Sequence, residues 1–144
     1  LSSAASDVYK RQDLPLNLTK YLLKFANSSI DVSDGLIDDL AKMINRQSLS
    51  FHLFENKIPV SNKLSNLIKK QRLNKINLIS NGDDYQVLFT ADIKKARIIQ
   101  KASKTTGIKI TKIGKIVSGK DRSLIFDEKG KQIQAKSKGY IHRF

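Results

Sequence analysis

The sequence predicts an α+β domain, a mixed β-sheet with helices packed on it. Three observations lead there. Helical apolar spacing alternates with short strand-like runs as far as about residue 104, and strand-like runs then follow one another with only turns between them. The 144 residues, 40% of them hydrophobic, suffice for one domain with a real core. No apolar run approaches the ~18 residues of a membrane span, which rules out transmembrane helices. With no cysteine there is no disulfide framework, thiol nucleophile or cysteine-ligated zinc, and His52 and His142 are too few for a histidine-rich metal site. Any chemistry falls to carboxylates, hydroxyls and backbone.

Residues 1–12 (LSSAASDVYKRQ) start without an initiator Met and lack the patterns of a targeting signal, so they read as a non-native leader outside the fold, with 13–144 as the domain. From Leu16, the residues Leu18, Leu22, Leu23, Phe25 and Ala26 keep helical spacing until Asn27, Ser28 and Ser29 end it. A short run at 29–32 enters an acidic turn. Beyond it Leu36, Ile37, Leu40, Ala41 and Ile44 recur at three and four residues as one helix face, with Asp31 or Ser33 as the cap. Residues 49–54 alternate as a strand, Pro59 opens a helix through Leu64, Leu67 and Ile68, and Asn81-Gly82 marks a tight turn before a strand at 85–90. Asp92 caps a helix reaching about Lys104, with Ile93, Ala96 and Ile99 toward the core. Strands at 108–117, 123–127 and near Ile133 follow, joined by Ser118-Gly119 and Glu128-Lys129-Gly130.

The 27 Lys and Arg against 13 Asp and Glu give a net charge of +14, which on its face suggests a polyanionic partner. That inference is weak, because 21 Lys, 17 Ile and 9 Asn together are what AT-rich coding sequence produces whatever a protein does. The acids say more. Six of the 13 fall in two short segments, Asp31, Asp34, Asp38 and Asp39, then Asp83 and Asp84.

The first segment, I-D-V-S-D-G-L from Ile30, runs from a strand end into a helix start. Its carboxylates suit a hard Mg²⁺ ion, the Ser33 hydroxyl and free helix N–H groups suit phosphate, and Gly35 permits close backbone approach. The competing reading is a plain helix N-terminus whose Asp and Ser side chains cap N–H groups and complement the macrodipole. In the second, Ser80 to Thr90, the adjacent acids Asp83 and Asp84 could receive a ligand's ammonium or amine, or could simply populate a turn. The third is the tail G-Y-I-H-R-F from Gly139, whose aromatics could stack on a planar heterocycle, or fray. Lys94, Arg97, Lys101 and Lys104 line one helix face, but no aromatic is interleaved to stack bases, so a solvated face explains them better than nucleic acid does.

Taken in order, S-x-I-D-V-S-D-G-L-I-x-D-L from Ser28, N-G-D-D-Y-x-V-L-F-T from Asn81, T-K-I-G-K-I from Thr111 and the terminal G-Y-x-H-x-F resemble the C-terminal domain of thiamine-monophosphate kinase, over about 16–144. The resemblance implies a domain of the aminoimidazole-ribotide synthetase-like type. It also implies the parent activity, an ATP- and Mg²⁺-dependent phosphorylation of thiamine monophosphate to thiamine diphosphate by a cytoplasmic homodimer. By position, Asp31 and Asp34 match the family's metal-binding acids and Ser33 its ATP-contacting serine, while Asp83 and Tyr140 match its thiamine-contacting residues. Asn81 stands where the family has Gly, Asp83 where it has Glu, and Ile141 with Arg143 interrupts its G-Y-D-H-F ending. The resemblance further implies an N-terminal domain, with most metal and nucleotide ligands, that lies outside this chain, so the fragment alone is expected to be inactive. Two other readings compete: another ATP-dependent synthase of the same superfamily, and a basic nucleic-acid-binding module.

Overall fold

The computed structural model describes residues 6–12, 16–45, 47–79 and 86–134. Seven strands form one sheet in the order β2-β4-β1-β5-β3-β6-β7, from β1 (Ser6–Gln12), β2 (Ala26–Val32), β3 (Leu49–Phe54), β4 (Gln86–Asp92), β5 (Ile110–Ser118), β6 (Leu124–Phe126) and β7 (Gln132–Ile133). All neighbours pair antiparallel except β3 with β6, so the sheet is mixed, as the sequence predicts. The helices are α1 (Leu16–Phe25), α2 (Leu36–Ile44), α3 (Asn62–Gln71), α4 (Lys75–Ile79) and α5 (Ala96–Thr106). Among the described residues no helix is long and apolar enough to cross a membrane.

Successive strand residues face opposite ways, and here both faces are covered. On one side Val8, Val32, Leu88, Ile113 and Ile116 of the sheet pack with Leu36, Leu40 and Ile44 of α2 and with Ile58 and Ile76. On the other, Tyr9, Phe89 and Ala91 pack with Phe25 of α1 and with Ile99 and Ala102 of α5. The Tyr9 and Phe89 rings stack at 5.0 Å, and Phe25 tilts against Phe89 at 5.4 Å. Burying side chains of this size removes about 1.5–3 kcal/mol each from the cost of ordering the chain.

Three expectations are corrected. Residues 6–12 do not stay outside the fold: β1 sits between β4 and β5 near the middle of the sheet. The sequence hides this strand because its burial does not follow polarity. Asp7 and Lys10 are buried beside Val8 and Tyr9, Asp7 pairing with Lys112 at 2.9 Å and the Lys10 ammonium donating to the Pro59 carbonyl at 3.4 Å. Burial, reinforced by the neighbouring Asp7, pushes the Tyr9 phenol up to about 12. The second correction concerns α5. Asp92 caps a single 3₁₀ turn through the Lys94 N–H at 2.8 Å, and the helix starts only at Ala96, so Ile99 and Ala102 face the core while Ile93 and Ala96 are exposed. The helix near Pro59 instead starts at Asn62, where the Ser61 hydroxyl accepts from the Leu64 N–H at 3.2 Å. The turn at Asn81-Gly82 and the aromatic tail lie outside the described residues.

The glycine of T-K-I-G-K-I has a physical reason. Gly114 pairs with Leu53 where β5 lies against β3, and a Cβ there would collide with the His52 carbonyl and press on a methyl of Leu53. Gly114→Ala is therefore expected to destabilise the domain by about 2 kcal/mol through overpacking. Urea unfolding of the two proteins checks this, and equal midpoints would show that the β3–β5 spacing yields.

Candidate functional site

Strand β2 carries the first acidic motif to one end of the sheet. Its burial alternates, with Asn27, Ser29 and Asp31 exposed and Val32 buried, and it pairs with β4 so that Val32 lies opposite Gln86. Gln86 is the first described residue after 80–85, so antiparallel pairing brings the end of the first motif beside the point where the chain enters β4. Asp83 and Tyr140 both lie outside the described residues.

Between Val32 and α2 the chain makes a fixed turn. Gly35 adopts φ 137°, a conformation open to glycine at no steric cost, and precedes the helix without any side-chain cap. Neither Asp31 nor Ser33 caps α2, contrary to expectation. The carboxylate of Asp39, in the first turn of α2, does the equivalent work from the other direction. Its Oδ2 accepts the N–H groups of Ser33 at 2.7 Å, Asp34 at 3.0 Å and Gly35 at 3.3 Å, while its own N–H donates to the Gly35 carbonyl at 2.9 Å. Its Oδ1 accepts from the Lys42 ammonium at 3.1 Å, and the same ammonium donates to Oδ2 of Asp34. Burial pushes the Asp39 carboxyl upward, but the Ser33 N–H, the Lys42 ammonium and the Asp34 and Gly35 N–H groups together outweigh it and hold the group below the ordinary aspartate range. The contacts with Asp34 and then Asp39 raise Lys42 above the ordinary lysine value.

Asp39 is 1% exposed. In the sequence Asp39 stands out only as one acid of the first segment and motif, although a signal for its burial was present. Its spacing from Leu36, Leu40 and Ile44 puts it on the buried stripe of α2, where an acid needs dedicated partners. Asp31, Ser33 and Asp34, in contrast, are exposed. The turn thus separates a buried structural carboxylate from two exposed carboxylates and an exposed hydroxyl. Among the described residues no three acidic or histidine side chains gather in a way that would hold a metal ion by themselves.

Asp39→Asn is expected to cost about 3 kcal/mol near neutral pH, since the amide loses the charge behind several hydrogen bonds and leaves Lys42 facing an amide. The folded pKa lies below the unfolded one. The carboxylate's contribution is therefore complete above the unfolded value and is lost as pH falls through the folded value. The stability gap between wild type and variant should hold constant through neutrality and close only in acid. Urea unfolding across a pH series reads it, and a gap that closes toward alkaline pH would contradict the assignment.

No protein-family model matches the chain. Among curated proteins it is 35% identical over 122 residues to thiamine-monophosphate kinase of Buchnera aphidicola subsp. Acyrthosiphon pisum, covering 84% of this chain and 37% of that protein. It is 36% identical over 76 residues to thiamine-monophosphate kinase of Aquifex aeolicus, covering 52% and 25%. The chain therefore spans well under half the length of these relatives. Among solved structures it superposes on AaThiL complexed with AMPPCP and TMP at a TM-score of 0.66 with 22% identity, covering 97% of this chain and 52% of that one. It also superposes on Escherichia coli HypE, a hydrogenase maturation protein, at 0.70 with 12% identity, covering 96% and 51%. Over the stretch that it spans, the chain is thus similar to thiamine-monophosphate kinase in sequence, as its motifs imply, and shares its α+β fold with that enzyme and with HypE.

Proposed function

We propose that this chain is the C-terminal domain of a thiamine-monophosphate kinase, which moves the terminal phosphoryl group of ATP onto thiamine monophosphate. One juxtaposition carries the reading. The S-x-I-D-V-S-D-G-L segment is held as a fixed turn with Asp31, Ser33 and Asp34 exposed, and β2–β4 pairing sets the end of β2 beside Gln86, where the second motif runs into β4. The complex of AaThiL with AMPPCP and TMP supports both substrates.

Mg²⁺ suits the donor set. The turn offers only hard oxygen ligands, and two exposed carboxylates without a third are what an ion needs when nucleotide phosphates and water complete its shell. Asp31 and Asp34 would hold it, and when bound it would neutralise charge on the phosphates during transfer. The Ser33 N–H is committed to Asp39, which leaves the Ser33 hydroxyl for ATP. Asp39 keeps the turn in one arrangement before substrate arrives, so that little ordering remains to be done at the reacting step. Asp83 and Tyr140 would contact the thiamine moiety. The remaining nucleotide ligands are assigned to an upstream domain, consistent with the 37% of the Buchnera relative that this chain covers, in a homodimer of the cytoplasm. The fold is shared with HypE and so is open to a second reading, another ATP-dependent synthase of the same superfamily. Assay of the extended chain against thiamine monophosphate and other acceptors separates the two.

The isolated chain should show no turnover, because too few groups that position ATP are present. In a chain extended by the upstream domain of a thiamine-monophosphate kinase, Asp34→Asn should lower kcat on the order of 100-fold at limiting Mg²⁺. A mere helix-terminal residue would tolerate the change, since Asn serves there about as well as Asp. Steady-state kinetics decides between them.

In the same extended enzyme Tyr140→Ala should raise KM for thiamine monophosphate about tenfold and leave KM for ATP unchanged, with Tyr140→Phe mild, because stacking is uniform binding remote from the transferred phosphoryl. Equal damage from Phe and Ala would point to the phenol hydroxyl instead, and no effect from either would remove Tyr140 from the site.

A further inference from the structure

We propose that Lys42 is a resident cation that competes with a divalent metal ion for Asp34. The inference rests on the reading of Asp31 and Asp34 as metal ligands. It comes from the unequal standing of the two carboxylates that share the Lys42 ammonium. The Asp39 side chain is 2% exposed, and both its oxygens are engaged, Oδ2 by three backbone N–H groups and Oδ1 by Lys42. Withdrawing the ammonium from Asp39 would leave a buried carboxylate oxygen without a partner, so the ammonium is anchored there. The Asp34 side chain is 63% exposed, and an ion pair at that exposure yields readily to water or to another cation.

Lys42 is half exposed, three residues beyond Asp39 on α2, and reaches back over the first turn of the helix to Asp34. An incoming divalent ion must therefore share Asp34 with a fixed positive charge a few ångströms away, or displace it. Without phosphates the repulsion opposes binding. With phosphates present the same ammonium adds to the positive charge facing them, so the turn favours a metal that arrives with nucleotide over a metal alone. Among the described residues Asp31, Asp38 and Lys42 are the other charged groups on the turn and α2, and only Lys42 is a cation.

The chain itself, labelled with ¹⁵N and titrated with Mn²⁺, provides the test, read as paramagnetic broadening of the Ser33, Asp34 and Gly35 amides. Lys42→Met and Lys42→Gln should each tighten Mn²⁺ binding about three- to tenfold, while Lys42→Arg should stay within about twofold of wild type. Undiminished amide dispersion shows that each variant is folded, and the two neutral variants check each other. Unchanged or weaker binding in both, or an equal gain in Lys42→Arg, overturns the competition. Amides that stay sharp in wild type and neutral variants alike overturn the metal reading of the turn, and the proposal with it.

Discussion

The buried carboxylate of Asp39 is the group on which the arrangement of the first motif depends. Taking a carboxylate to 1% exposure costs several kcal/mol, and it persists only where hydrogen bonds and an opposite charge offset that cost. Three converging N–H groups and one ammonium do so. Each charge-assisted bond contributes about 1.5–3 kcal/mol, enough together to outweigh burial, which is why the group lies below rather than above its ordinary titration range. The same bonds fix the backbone of residues 33–35. Asp31, Ser33 and Asp34 are left exposed at a place set by a residue they do not resemble in role.

The sheet supplies the second constraint. Among the described residues β2 is an edge strand paired with β4 alone, and its last residue, Val32, lies opposite Gln86, the first residue of β4 and some fifty positions away in the chain. That register is enforced by burial on both faces. A slip of one residue would carry Val32 and Leu88 from the α2 side to the α1 and α5 side. Fold stability and site geometry are therefore tied to the same pairing.

Much of this was legible in the residues. The apolar spacing of α1 and α2 locates both helices, and the runs that become β3, β5, β6 and β7 are apparent within a few residues. The four ordered motifs lead to the family likeness that the relatives bear out. What was not legible has physical causes. Strand β1 buries Asp7 and Lys10, so polarity gives the wrong sign for it. Ile93 is apolar yet 52% exposed on a 3₁₀ turn that the helical count runs straight through. Asp39 is adjacent to Asp38, and dipole complementarity explains two first-turn acids so well that the apolar stripe beneath one of them goes unread. Lys42 looks like one more surface lysine in a chain of 21, and only its reach back to Asp34 sets it apart.

If the turn is built on an ionised Asp39, that carboxyl and the amides it holds must titrate as a unit. A ¹³C-detected pH titration of the Asp39 side chain, recorded with the ¹⁵N–¹H shifts of Ser33, Asp34 and Gly35, measures this directly. An Asp39 pKa below the ordinary 3.8 is expected, with the three amide protons shifting along the same curve. A value at or above 3.8, with amide shifts indifferent to it, would contradict that expectation.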